Sequence, residues 1–187
     1  MISRILGILL SGIHAGQTHL AWNHPAVARA PDSLRLTSDS FAAGGLIPRH
    51  FAGKGVGDNV SPALSWSDPP PGTQELVLVM EDPDAPLPRP FVHLIAYGIS
   101  SDTRTLPEAA LAPSNQTLRF GRNTFAGTGY TGPRALPAHG PHRYVFQLFA
   151  LKNRLSFDQP PSLKALLTAM EGSVIARGRI DGTFEQK

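Results

Sequence analysis

The sequence predicts an antiparallel, β-rich single domain, and three observations carry that prediction. Glu75–Met80 (ELVLVM), Phe91–Ile99 (FVHLIAYGI) and Tyr144–Leu151 (YVFQLFAL) are short, nearly continuous apolar runs. Runs of this length and composition are what strands covered on both faces look like. The chain has 18 Gly and 18 Pro in 187 residues, which calls for many turns and long ordered loops. Strand and helix patterns do not alternate, which disfavours a parallel α/β sheet.

Residues 1–31 read as an extension. Ile2, Ile5, Leu6, Leu9, Leu10 and Ile13 fall at i, i+3, i+4, i+7, i+8 and i+11, one stripe of an amphipathic helix. The expectation is a helix packed on the domain or on a second subunit, which makes a homodimer a partner reading. The competing reading of residues 1–30 is a signal peptide, with a secreted or periplasmic location. The spacing favours the helix and a cytoplasmic protein, because a secretory core tends to be apolar all round. A transmembrane span needs about 20 apolar residues, and the run is too short for one.

The domain proper is expected over 32–187. Leu34, Leu36 and Phe41 suggest a first strand, closed by Gly44 and Gly45. Residues 50–57 form a Gly-rich loop that lacks the Gly-Lys-Ser/Thr ending of a phosphate loop. Asn59–Trp66 is a turn leading into a strand, and Pro69–Gly72 stops the chain before ELVLVM. Asp82–Pro90 is a Pro-rich connection between two strands that pair as a hairpin. Gln116–Phe120 is a candidate strand, and residues 123–141 form a long loop, a common place for function. Ser162 caps a helix over 162–170, whose Leu163, Leu166, Leu167 and Met170 share a face. Val174–Ile180 is the last strand, and 181–187 a tail.

Charge and composition exclude several classes. The net charge of +3 is spread thinly, with no Lys/Arg run, so no nucleic-acid partner is expected. There is no cysteine, hence no disulfide, zinc–thiolate site or thiol nucleophile.

The unusual polar residues sit at three loop–strand junctions: Asp82-Pro83-Asp84-Ala85-Pro86, His93 within an apolar strand, and Gly132-Pro133 followed by His142-Arg143-Tyr144. A buried imidazole must satisfy two ring nitrogens, so His93 needs a partner. A neighbouring carboxylate would orient such a ring and raise its pKa. Asp82, His93 and His142, with backbone N–H groups of the Gly-rich loop, would then form a small anion site on a concavity open to solvent. Plainer roles compete: Asp82 and Asp84 as turn caps, His93 as a core histidine, Arg143 as a loop anchor, Tyr144 and Trp66 as core residues, and His14, His19, His24, His50 and His139 as solvent or packing residues. Two His and one carboxylate could also hold a metal, but no local spacing supports it. No cofactor is expected. As an enzyme, the cluster would supply acid and base for ester hydrolysis, with Ser61 or Ser65 as nucleophile. Neither serine sits in a Gly-x-Ser-x-Gly elbow, and the expectation is that the protein is not an enzyme.

These residues also carry a resemblance. Asn59-x-Ser61-Pro62-x-Leu64-x-Trp66, Pro71-Gly72-Thr73, Asp82-Pro83-Asp84-Ala85-Pro86, His93, Gly132-Pro133 and Pro141-His142-Arg143-Tyr144-Val145-Phe146 resemble, in order and spacing over roughly 34–183, the phosphatidylethanolamine-binding protein family. That family includes the Raf kinase inhibitor proteins, and the likeness is to its small bacterial branch. The resemblance implies a mostly β fold, in which a large antiparallel sheet packs with a smaller sheet and a few peripheral helices. It implies a pocket for phosphate, acetate or a phospholipid headgroup, formed by Asp82, Ala85, Pro86, His93, Gly132, Pro133, His142 and Tyr144, and a cis Ala85–Pro86 bond. It also implies a regulator of a kinase or protease as a second reading. Phe91 stands where many eukaryotic members have Trp, and the eukaryotic C-terminal helix has no counterpart. Residues 1–31 lie outside the resemblance.

Overall fold

The computed structural model describes residues 2–186. Met1, Lys187 and the side chain of Ile2, part of the predicted stripe, lie outside the described residues. Eight strands form two antiparallel sheets. Helix α1 spans Ile2–Leu10, α2 Pro25–Ala28 and α3 Leu163–Met170. The strands are β1 Leu36–Thr37, β2 Leu64–Trp66, β3 Glu75–Asp82, β4 Phe91–Ser100, β5 Thr105–Leu106, β6 Arg119–Phe120, β7 His142–Leu151 and β8 Val174–Phe184. The large sheet has the order β6-β4-β3-β7-β8 and the small one β1-β2-β5.

The three apolar runs become β3, β4 and β7, the three middle strands of the large sheet. Their alternation divides the core in two. Leu76, Leu78, Met80, Tyr144, Phe146 and Leu148 face the small sheet, with Leu64 and Trp66. Val77, Val79, Phe149 and Leu151 face α3, through Leu166, Leu167 and Met170. Both faces are covered, which is why these strands lack the polar alternation of a half-exposed sheet. Ser162 caps α3 as predicted, accepting from the Ala165 N–H.

The residues expected to form a C-terminal tail instead extend β8 to Phe184, pairing His142 with Phe184 and Tyr144 with Gly182. Helix α1 forms within the predicted segment, but the domain does not cover its apolar stripe. Ile5, Leu6 and Leu9 of the predicted stripe are exposed, and so is Ile8. The helix instead approaches the domain through Gly7, which sits so close to the Pro137 carbonyl that any side chain there would collide with it. Residues 20–27 are built into the domain: Ala21 and Val27 join the α3-side core, and the Arg177 guanidinium stacks 4.0 Å from the Trp22 ring. No helix among the described residues is long and apolar enough to cross a membrane.

Candidate functional site

The site lies where one end of the three middle strands meets the small-sheet face. On β3 the parity that buries Leu76, Leu78 and Met80 places Asp82 on this face and Glu81 on the other. On β7 the same parity places His142 and Tyr144 here. His93 arrives by a bulge. Met80 pairs with Leu94 and Glu81 with Val92, so His93 is left without a cross-strand partner. Below the bulge Val92 packs toward α3 while Leu94 faces the small sheet, and His93 turns onto the Tyr144 ring, 5.1 Å between centroids.

Asp82 organises the cluster. Its Oδ1 accepts from the Asp84 and Ala85 N–H groups at 2.8 and 3.0 Å, an Asx turn that fixes the start of the Pro-rich loop. Its Oδ2 lies 2.7 Å from His142 Nδ1. His142 Nε2 lies 2.8 Å from His139 Nδ1, and His139 Nε2 lies 3.2 Å from the Ile13 carbonyl oxygen. The chain of contacts thus runs Asp82–His142–His139–Ile13 with an acceptor at each end. At the two ends, His142 Nδ1 and His139 Nε2 each face an oxygen and are the donors there.

His93 behaves differently. Its Nδ1 donates to the Thr131 carbonyl at 2.7 Å, and the Thr131 N–H returns a bond to the His93 carbonyl. Burial lowers its pKa, against the opposing pull of Asp82. The expectation that a carboxylate would raise it is therefore corrected: Asp82 pairs with His142. In its neutral form His93 keeps Nε2 as the ring's acceptor. Beside both rings, Tyr144 has a fully buried hydroxyl without a hydrogen-bond partner among the described residues. Burial first, and Asp82 second, hold this phenol well above its usual range; the Arg134 backbone pulls the other way without reaching hydrogen-bond geometry.

The remaining predicted residues frame this cluster. Ala85 is held by Asp82, and Pro86 is half-buried behind it. Gly132 and Pro133 follow Thr131 and are buried. Three expectations need correction. Ala85–Pro86 is trans: no peptide bond among the described residues is cis, and the chain turns at Pro86 through a Leu87 N–H bond to the Ala85 carbonyl, 2.8 Å. Three amides of the Gly-rich loop expected to hold an anion are already engaged, Gly53 N–H by the Pro133 carbonyl and Val56 and Gly57 N–H by the Gly53 carbonyl, and so is Gly132 N–H, by Asn59 Oδ1. The concavity is not open to solvent either, since Asp82, His93 and His142 are 3%, 4% and 2% exposed.

Other assignments are sharpened. Arg143 anchors the loop, meeting Asp84 through Nε and NH2 at 2.7 and 2.6 Å, while its backbone N–H adds a third bond. Burial works to raise the Asp84 pKa, but these bonds overcome it and lower it. Asp84 is thus a loop anchor and not a turn cap. His139, expected to be a solvent or packing residue, and Ile13 are the two residues of the chain of contacts that sequence reasoning missed. The spacing His139-x-x-His142 in a Gly/Pro loop was the available signal. Among the described residues, no three His, Cys, Asp or Glu side chains are gathered to hold a metal ion. A cavity of about 690 Å³ lies elsewhere, on the α3 side, between His19, Glu81, Arg89, Val92 and Lys164. It shares no residue with the predicted site.

Comparison with known proteins agrees with this architecture. The family model for phosphatidylethanolamine-binding protein matches residues 37–185. A UPF0098 protein of Aquifex aeolicus is 37% identical over 156 residues, 82% of this chain and 89% of that protein. The crystal structure of a putative phosphatidylethanolamine-binding protein homolog from Chlamydia trachomatis superposes with a TM-score of 0.74 at 34% identity, covering 83% of this chain and 99% of that one. YbcL of Escherichia coli, described as a member of the mammalian PEBP family, gives 0.77 at 27% identity, covering 82% and 99%. The chain therefore belongs to the phosphatidylethanolamine-binding protein family.

Proposed function

We propose that this protein is a binding protein, not an enzyme, and that it takes a small oxyanion, a phosphate or a phospholipid headgroup such as that of phosphatidylethanolamine, at the Asp82–His142–Tyr144 cluster. The observation that carries this reading is the buried Tyr144 hydroxyl, a donor with no acceptor among the described residues. A buried unmade hydrogen bond costs roughly 1–3 kcal/mol, and an oxyanion supplies the missing acceptor. Asp82 and His139 hold the two ring nitrogens of His142, so the outermost donor of this chain of contacts is His139 Nε2, which faces the Ile13 carbonyl. His93 Nε2 is left to accept from a P–OH or from an ammonium N–H of the ligand.

A hydrolytic reading lacks a nucleophile in place. Ser61 Oγ accepts from the Leu111 N–H, and Ser65 lies on β2 of the small sheet.

Calorimetric titration with inorganic phosphate, with phosphoethanolamine and with phosphatidylethanolamine vesicles separates a free anion from a lipid headgroup. His142→Ala is expected to abolish binding. Affinity independent of His142 would contradict the reading.

A further inference from the structure

The segment that closes the site lies outside the family match, which begins at residue 37. The Chlamydia structure is already aligned over 99% of its length while 83% of this chain is used, so the remainder of this chain has almost no counterpart there. Residues 13–16 of that remainder lie directly on the site. Ile13 gives its carbonyl to His139 Nε2, 3.2 Å. The Ala15 N–H donates to the Ala85 carbonyl at 3.0 Å, and the Gly16 N–H to the Pro83 carbonyl at 2.8 Å. His14 Nδ1 meets the Asp84 carbonyl at 3.2 Å, and its ring sits edge-on to His139, 5.2 Å between centroids. The segment therefore caps both walls, the Asp82–Pro86 loop and the His139–His142 turn.

From this geometry we infer that Ile13–Gly16 is a built-in, displaceable occupant of the anion site, its Ile13 carbonyl oxygen taking the hydrogen bond from His139 that a ligand oxygen would take. The inference rests on the anion-binding reading above and adds a regulatory element to it.

Two features make the segment displaceable. Its hold is local: the backbone bonds above, plus the close approach of Gly7 to Pro137, with Ile5, Leu6, Ile8 and Leu9 of α1 left exposed. An element that buries so little apolar surface opens at low free-energy cost. Its hinge is also defined. Gly16 adopts φ 77°, a left-handed conformation, and shortly beyond it the chain is fixed by the Ala21 N–H on Glu81 Oε2 and the Trp22 N–H on Gln147 Oε1. Residues 2–16 can therefore swing while residues 20–28 stay in the core. A site open only a fraction of the time binds with an affinity reduced by that fraction.

The test uses the full-length protein and two independent openings. Gly16→Pro removes the N–H that binds Pro83 and cannot adopt the positive φ. Gly7→Val drives a side chain into the Pro137 carbonyl and lifts α1. Calorimetry with inorganic phosphate and with phosphoethanolamine is expected to show at least about tenfold tighter binding in both variants than in the wild type. Adding His142→Ala should remove the gain. Hydrogen–deuterium exchange should show residues 82–87 and 137–142 losing protection in both variants, with the middle strands unchanged. Wild-type binding as tight as that of the variants, with dependence on His142, would overturn the occupant and leave the anion site standing. Variants that lose protection over the site and still bind neither anion would overturn the anion reading, and the occupant with it. Unchanged protection in both variants would show that the segment does not cover the site, and would overturn the inference alone.

Discussion

Glu81 and Asp82 are neighbours on β3, equally buried at 1% and 3% exposure, yet they face opposite sides of one sheet and meet different chemistry. Asp82 meets two backbone N–H groups and a histidine that can carry charge. Glu81 meets neutral donors alone: its Oε2 accepts from the Ala21 N–H at 2.7 Å and from Gln147 Nε2 at 2.8 Å. Burial pushes Glu81 up to about 7, against those two bonds. The contrast separates two uses of a buried acid. Glu81 tethers the N-terminal extension, whereas Asp82 orients the His142 imidazole. Depth of burial does not distinguish them; the partner does.

The largest effect that would break this contrast comes from Asp82→Ala. Removing one partner of a buried pair strands the other, at about 3–5 kcal/mol. Urea unfolding should show that loss, and calorimetry should show no phosphate binding. A loss below about 1 kcal/mol would mean that His142 does not depend on Asp82.

Glu81→Gln should act in the opposite direction. The folded pKa is raised, so this carboxyl's contribution is intact below its unfolded value of 4.5 and is lost as pH rises to about 7. Glutamine keeps the acceptor without the charge. The variant should therefore be more stable than wild type at pH 8 by up to about 3 kcal/mol, with little gain near pH 4.5. Unfolding at the two pH values checks this, and an equal gain at both would contradict the assignment.

His93 supplies the other limb of the pH profile. Burial depresses its folded pKa below the ordinary histidine value of 6.5, so its contribution is present above 6.5 and is lost as pH falls below it. His93→Gln retains a donor for Thr131 and removes the titration. Melting temperatures of that variant should fall less steeply on acidification than those of the wild type. The smallest expected effect is at Ala138, which holds φ 62° immediately before His139. Ala138→Gly should stabilise by about 0.5–1 kcal/mol in thermal melts, because glycine adopts this conformation without a Cβ clash.

Legibility in the sequence followed the same division. β3, β4 and β7 were readable because a strand covered on both faces must be apolar throughout, and α3 because Ser162 and its leucine spacing act locally. β5 has two residues, too few to show a period. Asp181–Phe184 reads as a tail because glycine and charge disfavour a strand, yet pairing with His142–Tyr144 overrides that preference. Asp82 and His142 stood out in the sequence because polar groups at the mouths of apolar strands need a reason, whereas Tyr144 entered through the resemblance. His139 and Ile13 did neither, since their roles depend on a left-handed Ala138 and on a chain return that no local pattern encodes. The direction of His93 depended on a bulge equally invisible in the sequence.

The account rests on an oxyanion contacting the His142–His139 pair. Following the imidazole ring signals of the full-length Gly16→Pro variant by NMR while phosphoethanolamine is added reads that contact directly. The account predicts saturable shifts of His142, His139 and the neighbouring Tyr144, with His19 and His24 unmoved. Shifts confined to His19 and His24, at the cavity on the α3 side, would contradict it.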